Sequence, residues 1–262
     1  MSDPTLKSLF QDRFGSAPDV PSEMAEARVL KGIAARGSCR WFDGKVPSRD
    51  ILETLCAAAL CAPSKSDLQQ RDLLIVSDQT MMTELKMLLK AQEWIADAPA
   101  MVVFLANNRR QRQIQTWHDQ PFPNDHLDAF FNASLDAGIA LAFFMAAAEN
   151  AGLGCCPIST IRNHLPDVKE LLHLPDHVFP VAGLAVGYPR YEPRISARLP
   201  LEATVHHNSF ADTSKEQVLT YDARRLAGSE GPGWSGAKAR MYAEPQRQDF
   251  AAFMQKIGFN LD

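Results

Sequence analysis

The sequence predicts an α+β protein, and three features carry that prediction. Helical and strand periodicities alternate between residues 48 and 107, one long alanine-rich helix runs from Asn132 to Leu153, and a second apolar strand follows at residues 178–189. Two helical segments, Thr5 to Phe14 and Ser22 to Ala35, precede this body as an arm, separated by the breaker "GSAPDVPS". "PSRDILETLCAAALCAPS" then places Ile51, Leu52, Leu55, Ala59 and Leu60 at helical spacing, with Ser48 as N-cap and Pro63 as stop. The polar loop "SKSDLQQR" follows. "DLLIVSD" reads as a short strand, "MMTELKMLLKAQEW" as a helix, and "APAMVVFLAN" as a buried strand rich in branched and aromatic residues. "QTWHDQPFPNDHL" is a proline-broken loop. The helix from Asn132 is apolar nearly all round, which suits a core or a subunit interface. After the break "GLGCCPIST" come a short helix near Leu165 to Leu172, the strand "VFPVAGLAVGYP", a loop with three prolines, and polar loops alternating with helices to Asp262.

Length and composition narrow the function. A chain of 262 residues with 46% hydrophobic and 22% charged residues can bury a large core, and one domain spanning 1–262 is the simplest organisation. A net charge of -4 and a pI near 6.0 give no general reason to bind nucleic acid, so a small molecule is the expected partner. The longest apolar run, Ala137 to Ala148, is too short for a membrane span, which takes about 20 residues. The first residues show no basic tip followed by an apolar core, so the cytoplasm is the expected compartment. Five cysteines, an odd number, agree with reduced thiols.

The obvious chemistries are missing from the motifs. Cys155 and Cys156 are adjacent, Cys56 and Cys61 are five apart, and no C-x-x-C or zinc-ligand spacing occurs, so neither a metal nor a dithiol centre is expected. His118, His126, His206 and His207 lie in loops without a protease or triad signature. "GLGCCP" begins like a phosphate loop but lacks its final glycine and lysine. What remains is a set of polar segments at the edges of apolar elements: "RGSCR", "PSKSDLQ", "KAQEW", "GLGCCPIST" and "YEPRISARLP". Arginine forks suit phosphate, and serines, amides and bent backbone suit a planar ring, so together they fit a phosphorylated aromatic cofactor.

The order R-x-S-x-R-x-F, A-P-S-x-x-D-x-Q, G-L-G-x-x-x-I-x-x-I-R-N and P-V-A-G-L-A-V-G-Y-P resembles the FMN-dependent nitroreductase family. The last block and its continuation are most similar to the branch of NADPH-dependent nitroreductases and flavin reductases, and the resemblance runs from about Arg36 to Phe210. It implies a nitroreductase-like fold, a central and mainly antiparallel sheet flanked by helices, in an intertwined homodimer whose long central helix forms the interface. It implies an N-terminal helical arm (1–35) and a divergent C-terminal helical region (211–262). By the same resemblance, Arg36, Ser38 and Arg40 hold the FMN phosphate, and Ser64, Ser66, Asp67 and Gln69 meet the ribityl chain and the pyrimidine edge. Gln92 lies near flavin and substrate, Pro157 lies against the ring, and the backbone N–H of Ser159 or Thr160 reaches N5, where a donor stabilises charge as hydride arrives. Cys155 and Cys156 then sit in the turn before the flavin as packing groups. Arg198 matches a second phosphate ligand, with Arg194 as a substitute for the branch's lysine at position 196, which is serine here.

Three positions depart from the branch. Asp67 stands where asparagine is common, Ser196 lacks the lysine, and "RRLAGSEGPGWSGAKAR" replaces a basic loop that meets the extra phosphate of NADPH. Arg224, Arg225, Lys238 and Arg240 remain as anion contacts there, leaving NADPH and NADH both open as donors. The implied activity is hydride transfer from NAD(P)H through FMN to nitroaromatics, quinones or free flavin. The alternatives are a specialised flavin reaction on the same scaffold, such as flavin breakdown or reductive dehalogenation, and a flavin-binding protein with little turnover.

Overall fold

The computed structural model describes residues 3–262, so Met1 and Ser2 of the arm lie outside the described residues. In chain order the helices and strands are α1 (Leu6–Phe14), α2 (Ser22–Ala25), α3 (Arg28–Ala35), α4 (Arg49–Leu60), β1 (Arg71–Val76), α5 (Gln79–Leu88) and β2 (Ala100–Asn107). They continue with α6 (Arg109–Trp117), α7 (Leu127–Asn150), β3 (Gly154–Ile158), α8 (Leu165–Leu171), β4 (Val178–Gly187), α9 (Lys215–Leu226), α10 (Gly233–Tyr242) and α11 (Phe250–Lys256). The residues divide into two compact units, one built from residues up to Gly37 with Arg194–Gln246, the other from Ser38–Pro193 with Arg247–Asp262.

The larger unit is a four-stranded sheet in the order β1-β2-β4-β3, with every neighbouring pair antiparallel. β2 shows how the sequence sets the layers, because successive side chains of a strand point to opposite faces. Ala100, Val102 and Phe104 join Leu52, Leu55 and Ala59 of α4 and Ala140, Phe144 and Ala148 of α7 in one core. Met101, Val103 and Leu105 join Met82 and Leu85 of α5 and Val168 of α8 in the other. Phe104 meets Phe144 edge-to-face at 5.6 Å. Each such fully buried side chain contributes about 1.5–3 kcal/mol. A register shift between Phe104 and Leu105 leaves Val181 of β4 unopposed. In the smaller unit α1 and α3 bury Leu6, Leu9 and Ala34, while Tyr221 of α9 stacks edge-on against Trp234 of α10 at 5.4 Å.

Several expectations change. The helix read from Ser22 to Ala35 is two helices, because Ala27 is extended and restarts the chain as the N-cap of α3; nothing in the local sequence marks the break. The helix read to Trp94 stops at Leu88, and a 3₁₀ turn at Glu93–Asp97 brings Ile95 into the core beside Leu89. α6 lies mostly in the unassigned stretch before the proline-broken loop and overlaps it only at Gln115–Trp117; it is highly polar and buries no residue, so periodicity gave no signal. α7 starts and ends earlier than read. At 24 residues it is long and apolar enough to cross a membrane by length and composition, yet its inner face, including Asp136, is packed in the core. It is not buried all round: Phe131, Leu135 and Phe143 are exposed. The break at "GLGCCPIST" is β3, an edge strand, where Pro157 needs no N–H partner, so Cys155 and Cys156 are buried strand residues and not turn residues. Cys61, the C-cap of α4, is exposed.

Candidate active site

The ribbon at the start of the larger unit bonds once to β3 and twice to the chain just past β4. The Cys39 N–H donates to the Cys155 carbonyl at 2.9 Å, Arg190 N–H to the Trp41 carbonyl at 2.9 Å, and Asp43 N–H to the Tyr188 carbonyl at 3.0 Å. Along "RGSCR" burial alternates: Gly37 and Cys39 are buried, Arg36 and Ser38 are half-buried, and Arg40 is exposed. Gly154 permits this close approach, since a Cβ there would sit 2.5 Å from that of Cys39. Burial pushes the Cys39 thiol above its ordinary pKa, which suits packing better than nucleophilic work. The Arg40 guanidinium lies 5.9 Å from the Trp94 ring centroid, and Trp94 Nε1 donates to Gln92 Oε1 at 3.1 Å. Two predicted site residues, Arg40 and Gln92, are thus linked through an aromatic that sequence reading did not single out.

At the end of β3, Pro157 and Ser159 are exposed and Thr160 is half-buried. Ser159 and Thr160 open the 3₁₀ turn Ser159–His164, so their N–H groups have no acceptor within the turn. Thr160 Oγ1 is buried without a hydrogen-bond partner. The turn is anchored by Arg162, whose Nη1 donates at 2.7 Å to the carbonyl of Val181, the unopposed residue of the β4 bulge. Burial lowers the Arg162 pKa. This anchor had a findable signal, an arginine three residues after the proposed N5 donor.

Ser64, Ser66, Asp67 and Gln69 lie at the opposite edge of the sheet, just before β1. With strands about 4.8 Å apart, four strands place the two edges roughly 14 Å apart, so one chain does not bring this loop to Pro157 and Arg40. Ser66, Asp67 and Gln69 all have positive φ, near 50°, 57° and 52°. Ser64 Oγ accepts from Gln69 N–H at 3.1 Å, and Asp67 Oδ1 from Gln69 Nε2 at 3.1 Å. The loop is held from outside by Asp136 of α7, fully buried, whose two oxygens accept from Lys65 N–H at 2.9 Å and Gln70 N–H at 3.0 Å. Arg110 and Gln111 of α6 donate to the carbonyls of Gln69 and Leu68. A carboxyl group on the inner face of so apolar a helix needs such partners.

In the smaller unit Arg36 and Arg198 line one cleft of about 630 Å³, together with Arg13, Arg225, Tyr221 and Trp234. Arg194 is exposed and outside that lining. Arg198 Nη1 donates to Ser196 Oγ at 2.7 Å. Of the C-terminal cations, Arg224 Nη2 donates to the carbonyls of Arg13 and Arg198, Arg225 Nη1 to Tyr221 Oη at 2.9 Å, and Lys238 Nζ to Met241 Sδ at 3.9 Å.

The donor types present suit parts of FMN: guanidinium groups around the cleft of the smaller unit suit a phosphate, and the N–H groups that open the turn after β3 suit a flavin edge. The Nitroreductase family model matches residues 33–188 and the Nitroreductase family, C-terminal domain model residues 196–262, so this chain belongs to the nitroreductase family. The match therefore extends past Phe210, where the motifs fade. The chain is 30% identical over 245 residues to an FMN reductase [NAD(P)H] of Bacillus subtilis, covering 89% of this chain and 98% of that protein. It is 29% identical over 241 residues to an oxygen-insensitive NADPH nitroreductase of Salmonella typhimurium, covering 88% and 98%. The structure of B. megaterium NfrA2 superposes with a TM-score of 0.84 at 31% identity over 90% of this chain and 99% of that one. The NADPH:FMN oxidoreductase of Vibrio harveyi complexed with NAD+ gives 0.81 at 26% identity over 88% and 98%.

Proposed function

We propose that this protein takes hydride from NADPH or NADH and passes it to nitroaromatics, quinones or free flavin in one pocket, by a ping-pong sequence in which NAD(P)+ leaves before the acceptor binds. As a member of its family it is an NAD(P)H-dependent FMN oxidoreductase. FMN, when bound, supplies the reservoir that stores two electrons between the half-reactions. The observation that carries the reading is the end of β3, where the N–H groups of Ser159 and Thr160 and the unpartnered Thr160 hydroxyl stand beside exposed Pro157. Those N–H groups hold developing negative charge at the flavin edge without a side-chain acid. Arg36, Ser38, Arg40 and Arg198 bind the phosphate, with Arg194 as a peripheral cation. Gln92 orients the substrate, and Ser64, Ser66, Asp67 and Gln69 meet the ribityl chain and pyrimidine. Arg224, Arg225, Lys238 and Arg240 face the nicotinamide donor.

The chain acts as a homodimer. The separation of the Ser64–Gln69 loop from Pro157 supports this reading, as does the apolar outer face of α7 with Phe131, Leu135 and Phe143. A second copy would supply the missing half of each pocket and cover that face. Residues 1–262 then work as one FMN-binding functional unit in the cytoplasm, without nucleic acid or membrane partners. A specialised flavin reaction is the second reading, favoured by the carboxyl of Asp67, which cannot donate to flavin carbonyls. Anaerobic reduction of the FMN-loaded protein by each nicotinamide, followed by reoxidation with nitrofurazone, quinone and FMN, separates the two. Failure with all three acceptors favours the specialised reaction. Protein that shows no flavin absorption after FMN addition refutes both.

A further inference from the structure

We propose that Arg13, on the N-terminal helix α1, is a positioning residue for the FMN phosphate: it sets the geometry of the two segments that carry Arg36 and Arg198. This rests on the assignment of that phosphate to the cleft of the smaller unit. The family match begins at residue 33, so α1 lies outside it.

Arg13 is 7% exposed and lines the cleft with Arg36 and Arg198. Its Nε and Nη2 donate to the Ala34 carbonyl at 3.1 and 2.9 Å, Nη2 also to the Arg36 carbonyl, and Nη1 to the Ser196 carbonyl at 3.2 Å. One guanidinium therefore joins the end of α3 to the segment leading into Arg198. The backbone of Arg13 completes the brace, because its carbonyl accepts the Arg198 N–H at 2.7 Å and Arg224 Nη2 at 3.2 Å. The location adds an electrostatic reason. A helix C-terminus leaves its last carbonyls unsatisfied and carries the negative end of the helix dipole, a poor neighbour for a dianion. Arg13 takes two carbonyls there and brings a positive charge to that end. It also acts beside Ser196, at the position where the chain itself offers a hydroxyl and no cation.

The test is the affinity of full-length protein for FMN and for riboflavin, which lacks the phosphate, read by flavin fluorescence quenching for wild type, R13Q and R13K. R13Q is expected to weaken FMN by about tenfold or more while leaving riboflavin within about twofold. R13K, with its charge kept but one donor head in place of a fork, is expected to fall between. If R13Q does not fold, R13K gives the same comparison. An unchanged FMN-to-riboflavin affinity ratio, or an equal loss for both ligands, overturns the proposal and leaves α1 a scaffold only. Wild-type protein that binds neither flavin refutes the functional assignment itself, whereas wild-type binding with an unchanged ratio in the variants refutes only the role of Arg13.

Discussion

Removing the Asp136 carboxyl is expected to release the Ser64–Gln69 loop. Asp136 supports two backbone N–H groups of unequal burial: the bond to Gln70 is buried, whereas the bond to Lys65 is only part-buried. In D136N the amide oxygen turns to Gln70 and the NH₂ faces Lys65, the less buried of the two partners. The loss is about 1–2 kcal/mol, the size of one charge-assisted hydrogen bond. D136A leaves the Gln70 N–H buried and unpaired and opens a void, costing about 3 kcal/mol or more. For a chain of this size each kcal/mol lowers the melting temperature by about 2–4 °C. The three left-handed residues Ser66, Asp67 and Gln69 each hold strain on the order of 1 kcal/mol, so a loop freed of its anchor relaxes away from this shape. Flavin affinity should fall with stability. The assay is thermal unfolding of apo protein beside FMN titration. A D136A protein that melts within about 1 °C of wild type refutes the energetic argument. One that is destabilised but binds FMN unchanged refutes the link between this loop and the cofactor.

Three further outcomes are expected. R40A should weaken FMN retention by about tenfold through loss of a charge-assisted contact, while C39A leaves turnover nearly intact; equilibrium dialysis and steady-state rates read both, and the reverse pattern would overturn the assignment of the ribbon to an anion. L135D, which puts a charge on the exposed face of α7, should shift the protein toward monomer in light scattering and lower FMN occupancy, and a monomeric wild type would remove the basis for a shared pocket. Burial, with Arg112 nearby, holds the half-buried His177 imidazole below its ordinary 6.5. The unfolded chain then takes up that proton first, so stability falls as pH drops below about 6.5 and levels off beneath the folded-state pKa. Melting curves between about pH 8 and pH 5 should lose this part of their slope in H177Q, and an unchanged slope would contradict it.

Strongly periodic elements were readable from sequence. The Ser48 cap of α4, the buried strand β2 and the apolar strand β4 lie where their patterns put them, because local propensity and burial agree there. Two of the elements not read have a clear physical cause. α6 carries "RRQRQ" and buries nothing, so no periodicity marks it, and β3 contains glycine and proline that only an edge position makes compatible with a strand. Motifs pointed to candidate site residues, but the contacts that support those residues were not readable. Asp136 lies 66 residues from Gln70 and Arg13 lies 183 from Ser196, and such pairs meet only in the folded chain.

The ribbon carrying Ser38 and Arg40 also bears on solubility. It bonds to β3 at the Cys155 carbonyl, and Pro157 removes one N–H from that strand, so a foreign strand finds less to add to at this border of the sheet. A variant that detaches the ribbon would leave the Cys155 and Tyr188 carbonyls without their backbone donors. Bleached, cofactor-free preparations and insoluble ones should therefore arise together from the same substitutions.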